Sequence, residues 1–204
     1  MISREQIEWR DIWVTGANEE TRPRLLLIGD SIARSYFAKV EEELVGTFLC
    51  ARFATSACIC DPSIEKELSL LFEDYQFAVI HFNNGLHGWD DDEQSYLQGL
   101  GRVLDFIVGR SPESRLILAT STPMRQKDDL LAFDPKTDRV VERNKILREM
   151  ATHRNLPVND LFGSVVDRPD CFAEDGVHFN PIGQGILGSQ VARTILREIG
   201  QIPG

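Results

Sequence analysis

The chain has 204 residues, of which 42% are hydrophobic and 26% charged, proportions that fit one soluble globular domain over 1–204 with a sizeable core. A formal net charge of −10 argues against nucleic acid or an anionic membrane as a partner, since both repel such a surface. No apolar run reaches the length that spans a bilayer. The opening residues are acidic and lack a hydrophobic block, so no signal peptide is expected and a cytoplasmic location is.

Residues 1–23 precede the first strand as an amino-terminal extension, whose Ile7, Trp9, Ile12 and Trp13 offer an apolar face to pack on the outside of the domain. The run Leu25-Leu26-Leu27-Ile28 does not alternate and reads as a fully buried strand. It ends at Gly29-Asp30-Ser31, and a helix over 32–44 follows with Tyr36, Phe37, Val40 and Leu44 inward. Further strands are predicted over 47–53, 77–82, 115–119 and 156–159. Helices are predicted over 63–72, from the acidic run at 90–93 to 108, over 140–153 and over 183–199. The polar stretch 120–138 is longer than most connections in a compact domain and reads as a loop on the substrate side.

Five strands alternating with helices imply an α/β fold with a parallel sheet covered on both faces. Ligands in such folds bind beyond the carboxyl ends of the strands. Those ends carry Ser31, Thr55 and Ser56, Asn83 and Asn84, Thr122 to Arg125 and, after the fifth strand, Asp175 and His178. Ser31 alone reads as a helix cap, because serine is among the commonest capping residues. Its position at a helix amino terminus also suits a nucleophile beside a developing oxyanion. An aspartate three residues before a histidine can accept from its Nδ1–H and leave Nε2 as a base. The order Ser31, Asp175, His178 then supplies a nucleophile, an orienter and a base, although the Gly-x-Ser-x-Gly elbow of α/β-hydrolases is absent.

Gly29-Asp30-Ser31-Ile32, Asn83-Asn84-Gly85-Leu86-His87-Gly88 and Asp175-Gly176-Val177-His178 together resemble the sequence blocks of the SGNH (GDSL-type) hydrolase superfamily, in the expected order. The resemblance implies a three-layer α/β/α sandwich with a five-stranded parallel, flavodoxin-like sheet. It also implies ester hydrolysis through an acyl-serine intermediate, with neither metal nor organic cofactor. Carried onto this chain, Ser31 is the nucleophile, His178 the base and Asp175 its partner. The backbone N–H of Ser31 and the side-chain amide of Asn83 form the oxyanion hole. Two blocks depart from the family pattern. His81 stands where the third block usually has glycine. The second block has no glycine in 53–62, so an N–H of Thr55 or Ser56 would complete the hole.

Asp30, Asn84, His87, Trp89 and Arg125 are candidate pocket residues, weighed against ordinary loop and packing roles. Trp89 would offer its ring face to a sugar, and His87 is a rival base without a nearby aspartate to orient it. Consecutive carboxylates at 90–92 point in different directions on a helix and suit its dipole better than a metal. Cys58 and Cys60 lack the two-residue gap of zinc knuckles and redox motifs. Together with Cys50 and Cys171 they are expected to be reduced thiols with no metal. The leading expectation is a serine esterase removing a small acyl group, most plausibly O-acetyl from a carbohydrate. The alternatives are a lipase or thioesterase on longer acyl chains, and a degenerate or ligand-binding flavodoxin-like module.

Overall fold

The computed structural model describes residues 4–200, so the ends of the sequence, including residues 1–3 of the extension, lie outside the described residues. The strands are β1 (Arg10–Val14), β2 (Arg24–Gly29), β3 (Leu49–Thr55), β4 (Val79–Phe82), β5 (Arg115–Ala119), β6 (Arg125–Gln126), β7 (Asp129–Phe133) and β8 (Val158–Asn159). The helices are α1 (Ser31–Leu44), α2 (Ser63–Asp74), α3 (Glu93–Arg110), α4 (Lys136–His153), α5 (Leu161–Val165) and α6 (Pro181–Gly200).

The central sheet has the order β1-β3-β2-β4-β5-β8. All neighbours from β3 to β8 are parallel, while β1 runs antiparallel to β3. The five expected parallel strands are therefore present, and the sheet has six strands. The sixth comes from the amino-terminal extension, which is not simply an apolar face laid on the outside. Residues 10–14 pair with β3 from Arg10 opposite Thr55 to Val14 opposite Ala51. They cover an edge whose backbone groups would otherwise be unpaired. Trp13 remains largely exposed, and so does Ile7.

Strand residues alternate between two cores, one on each face. Leu25, Leu27, Val79, Ile117 and Ala119 face α1 and α6. Leu26, Ile28, Ile80, Phe82, Leu116 and Leu118 face α2 and α3. The chain leaves β2 for β3 on one side and later enters β4 on the other, so the strand order reverses at β2. That arrangement opens a crevice at the carboxyl ends of β2 and β4. The predicted loop 120–138 contains the two-stranded hairpin β6–β7 and the start of α4. Burial alternates over 129–133, but the run Leu130-Leu131-Ala132-Phe133 does not alternate in sequence.

His81, in the family's glycine position, is completely buried. Its Nε2 accepts from Asn159 Nδ2 at 3.1 Å. Asn159 Oδ1 in turn accepts from Gln190 and Thr194 of α6. Burial depresses the His81 pKa to about 3. An unfolded histidine titrates near 6.5, so on acidification the unfolded chain takes up a proton that the folded chain refuses. This contribution to stability is complete above about pH 6.5 and is lost as pH falls toward 3, at up to ~1.4 kcal/mol per pH unit. His81→Gln keeps an acceptor toward Asn159 and is expected to flatten the acid side of the stability curve. Urea unfolding at about pH 7 and about pH 4 measures the difference. Equal losses in both proteins would contradict this.

Candidate active site

The junction of β2 and α1 places Ser31 at the crevice. Asp30, fully buried, is the helix cap, its Oδ1 accepting from the Ile32 N–H at 2.9 Å. Ser31 is therefore the first helical residue and not the cap, so its hydroxyl is left for another partner. As a first-turn residue it also has a backbone N–H outside the intrahelical ladder.

That partner is His178. Asp175 Oδ2 lies 2.6 Å from His178 Nδ1, and His178 Nε2 lies 2.9 Å from Ser31 Oγ. A carboxylate accepts, so the proton is on Nδ1 and Nε2 accepts from the serine hydroxyl. Burial pulls the Asp175 carboxyl upward. The His178 ring and the N–H groups of His178 and Val177 outweigh it and hold the pKa below the ordinary aspartate value. The two backbone bonds, 2.8 and 2.9 Å long, set the turn in which Asp175 and His178 face each other. Gly176 sits in this turn at φ +73°, where a Cβ would stand 2.2 Å from the Arg125 carbonyl oxygen. The Arg125 N–H donates to Gly176 O.

Arg125 is thus part of the scaffold and not a pocket residue. Its buried guanidinium donates to the carbonyls of Leu130, Leu131 and Val166 and packs on the rings of Phe133 and Phe172. Hairpin β6–β7 is pinned against the 175–178 turn in this way.

The two asparagines after β4 separate. Asn83 Nδ2 donates to Ala119 O at 2.8 Å and to Ser121 Oγ at 3.3 Å. Both contacts lie at the end of β5. Asn84 faces the other way, its Nδ2 donating to Ala57 O in the loop after β3 at 3.1 Å. One of its amide hydrogens is left over. The Ser56 N–H donates to Trp9 O at 3.2 Å. Thr55 stands opposite Arg10 in the β1–β3 ladder, and its hydroxyl oxygen accepts from the Ala57 N–H. The extension that adds β1 thus occupies the N–H of Ser56.

His87 has an orienting carboxylate after all, though a distant one in sequence. Its Nδ1 lies 2.6 Å from Glu5 Oε1. Trp89 does not present an open ring face, since Arg143, Lys136 and Arg139 lie 4.8, 5.2 and 5.8 Å from its ring centroid. Sequence reasoning placed Trp9 on an apolar face but missed Arg34, which stacks on its ring at 4.7 Å. Arg34 is one helical turn beyond Ser31, and that spacing was the available signal. It also missed Arg143, a buried cation on α4. Arg143 donates to the carbonyls of Gly85, His87 and Gly88 at 3.0, 2.7 and 2.7 Å. Burial, followed by the charge of Arg139, lowers its pKa. One side chain therefore satisfies three carbonyls of the 83–92 loop.

Known structures of the same shape were found at low sequence identity. The aryl esterase of M. smegmatis superposes with a TM-score of 0.71 at 13% identity, covering 86% of this chain and 99% of that one. A carbohydrate esterase family 3 protein from Talaromyces cellulolyticus gives 0.68 at 14%, covering 89% and 100%. The acetyl xylan esterase AlAXEase gives 0.67 at 17%, covering 84% and 99%. The chain has the SGNH-hydrolase fold. No family model and no curated protein sequence matches it, and at these identities the SGNH likeness is one of fold.

Removal of Arg143 leaves three inward carbonyls without their donor. Arg143→Leu is expected to cost at least about 3 kcal/mol in urea unfolding, because each unpaired buried polar group costs about 1–3 kcal/mol. A loss below about 1 kcal/mol would show that the loop is held by other means.

Proposed function

We propose that the protein is a serine esterase that hydrolyses a small acyl ester, most plausibly an O-acetyl group on a carbohydrate, through an acyl-Ser31 intermediate. The observation that carries this reading is the continuous relay from Asp175 through His178 to Ser31, with contacts of 2.6 and 2.9 Å. In a relay of this kind His178 Nε2 takes the Ser31 proton as Oγ attacks the ester carbonyl. His178 then returns the proton to the departing alcohol, and a water activated by the same nitrogen clears the acyl group. Asp175 keeps the imidazole in the required tautomer and stabilises its charged form.

Charge appears on the carbonyl oxygen only in the tetrahedral state, so donors aimed at that position lower the barrier. The Ser31 N–H and the remaining amide hydrogen of Asn84 are assigned to this task. Asn83 instead braces β4 against β5. The carbohydrate esterase and the acetyl xylan esterase among the structural neighbours support a small acyl group on a sugar. So does the openness of the relay, whose His178 and Asp175 side chains are 45% and 49% exposed. A longer acyl chain has one observation in its favour, since Leu131 and Phe133 are exposed on the hairpin that abuts the 175–178 turn.

Purified protein is expected to hydrolyse p-nitrophenyl acetate faster than the octanoate and to release acetate from acetylated xylo-oligosaccharides. Ser31→Ala is expected to abolish both activities. Near wild-type turnover by Ser31→Ala would overturn the mechanism, and a preference for octanoate would overturn the acetyl assignment. Asn84→Ala is expected to lower kcat by ~10²–10³. Asn83→Ala should act mainly on stability, and the reverse pattern would return the donor role to Asn83.

A further inference from the structure

The two cysteines read from sequence as unengaged thiols meet a carboxylate in the folded chain. Cys58 and Cys60 lie on the loop after β3, and Asp91 lies on the loop after β4. Their Sγ, Sγ and carboxylate oxygen atoms are all within 4.8 Å of one another. Cys58 is buried while Cys60 and Asp91 are half-buried, so the group has one side toward solvent. The loops are in close contact. Gly88 adopts φ +71°, and a Cβ there would stand 2.5 Å from Cys58 Cβ and 3.0 Å from Asp91 Oδ2. Asp91 Oδ2 is itself buried and has no hydrogen-bond partner outside the thiol–carboxylate group. An anionic oxygen in that position is costly unless a cation compensates it.

The backbone around the group is held from outside. Arg102 donates to the carbonyls of Ile59 and Cys60, Arg139 to that of Asp91 and Arg143 to that of Gly88. These guanidiniums also add positive charge beside three groups that are negative in their ligating forms.

We propose that Cys58, Cys60 and Asp91 bind one divalent cation of the zinc class, with a fourth position open to solvent. Two thiolates select a borderline or soft ion over magnesium or calcium, which take oxygen ligands. In a tetrahedral site with metal–sulfur bonds of about 2.3 Å and a metal–oxygen bond of about 2.1 Å, neighbouring ligand atoms lie roughly 3.5 Å apart. Since no pair is farther apart than 4.8 Å, contraction of at most ~1.3 Å brings the group to that spacing. Binding joins the cation to two thiol sulfurs and one carboxylate oxygen and releases the two thiol protons to solvent. The bound ion ties the loop carrying Ala57 to the loop carrying Asn84, which are already linked by the Asn84 amide. The site stands apart from the esterase reading, because none of its ligands belongs to the Ser31–His178–Asp175 relay.

The test is titration of the reduced protein with Co²⁺, followed by absorption. One ion per chain is expected, with a thiolate-to-cobalt charge-transfer band that Zn²⁺ abolishes by displacement. Cys60→Ser, at a half-buried position, should lose the band. Asp91→Asn should weaken Co²⁺ binding at least ~10-fold. Thermal unfolding of the metal-free variants verifies that they are folded. Absence of the band in reduced wild-type protein overturns the site, as does its persistence in Cys60→Ser. Unchanged affinity in Asp91→Asn overturns the three-ligand assignment.

Discussion

The hydrogen bond from Ser31 to His178 spans 147 positions of sequence, and the geometry of the proposed active site depends on it. Neither residue is placed by its own side chain. Ser31 is carried to the crevice by a buried strand and held at a helix start capped by Asp30. His178 is set by a turn whose backbone is folded around Asp175. That turn is fixed against β6 through a glycine no larger residue can replace without displacing the Arg125 backbone. The cost of ordering these segments is met by hydrophobic burial throughout the sheet and not by the contact itself.

A second set of supports belongs to the loops after β3 and β4. They carry the Asn84 amide, its partner Ala57 and the thiol–carboxylate group, and several of their carbonyls are held by arginines. Arg102, Arg139 and Arg143 come from α3 and α4, so two helices distant in sequence determine the shape of the crevice wall. Arginine suits this work because its planar fork reaches several carbonyls at once. Preorganised donors are effective only when their supports do not yield, which gives this rigidity a place in the proposed chemistry.

Much of the parallel sheet was legible because buried strands read as unbroken apolar runs, as at 25–28, and inward helical residues recur at helical spacing. The relay was legible through three short blocks in a fixed order. Strand β1 was not, because a half-exposed edge strand with adjacent Ile12 and Trp13 lacks alternation, and its pairing with β3 is a tertiary fact. The separation of Asn83 from Asn84 was equally hidden. Which carbonyl each of two neighbouring amides bonds, Ala119 O for Asn83 and Ala57 O for Asn84, is a tertiary fact on which sequence order is silent. Arg143 was passed over as a polar residue on a helix, since three backbone carbonyls as partners leave no mark in the side-chain pattern. The group at Cys58, Cys60 and Asp91 was hidden for the same reason, its third member coming from another loop.

The central claim is that His178 and Asp175 make Ser31 a nucleophile. Covalent labelling with a serine-directed fluorophosphonate, with the adduct located by peptide mass spectrometry, tests it without assuming a substrate. The account predicts a single adduct on Ser31 in the wild-type protein and almost none in a folded His178→Ala variant. Labelling at another serine, or labelling of Ser31 that is indifferent to His178, would contradict it.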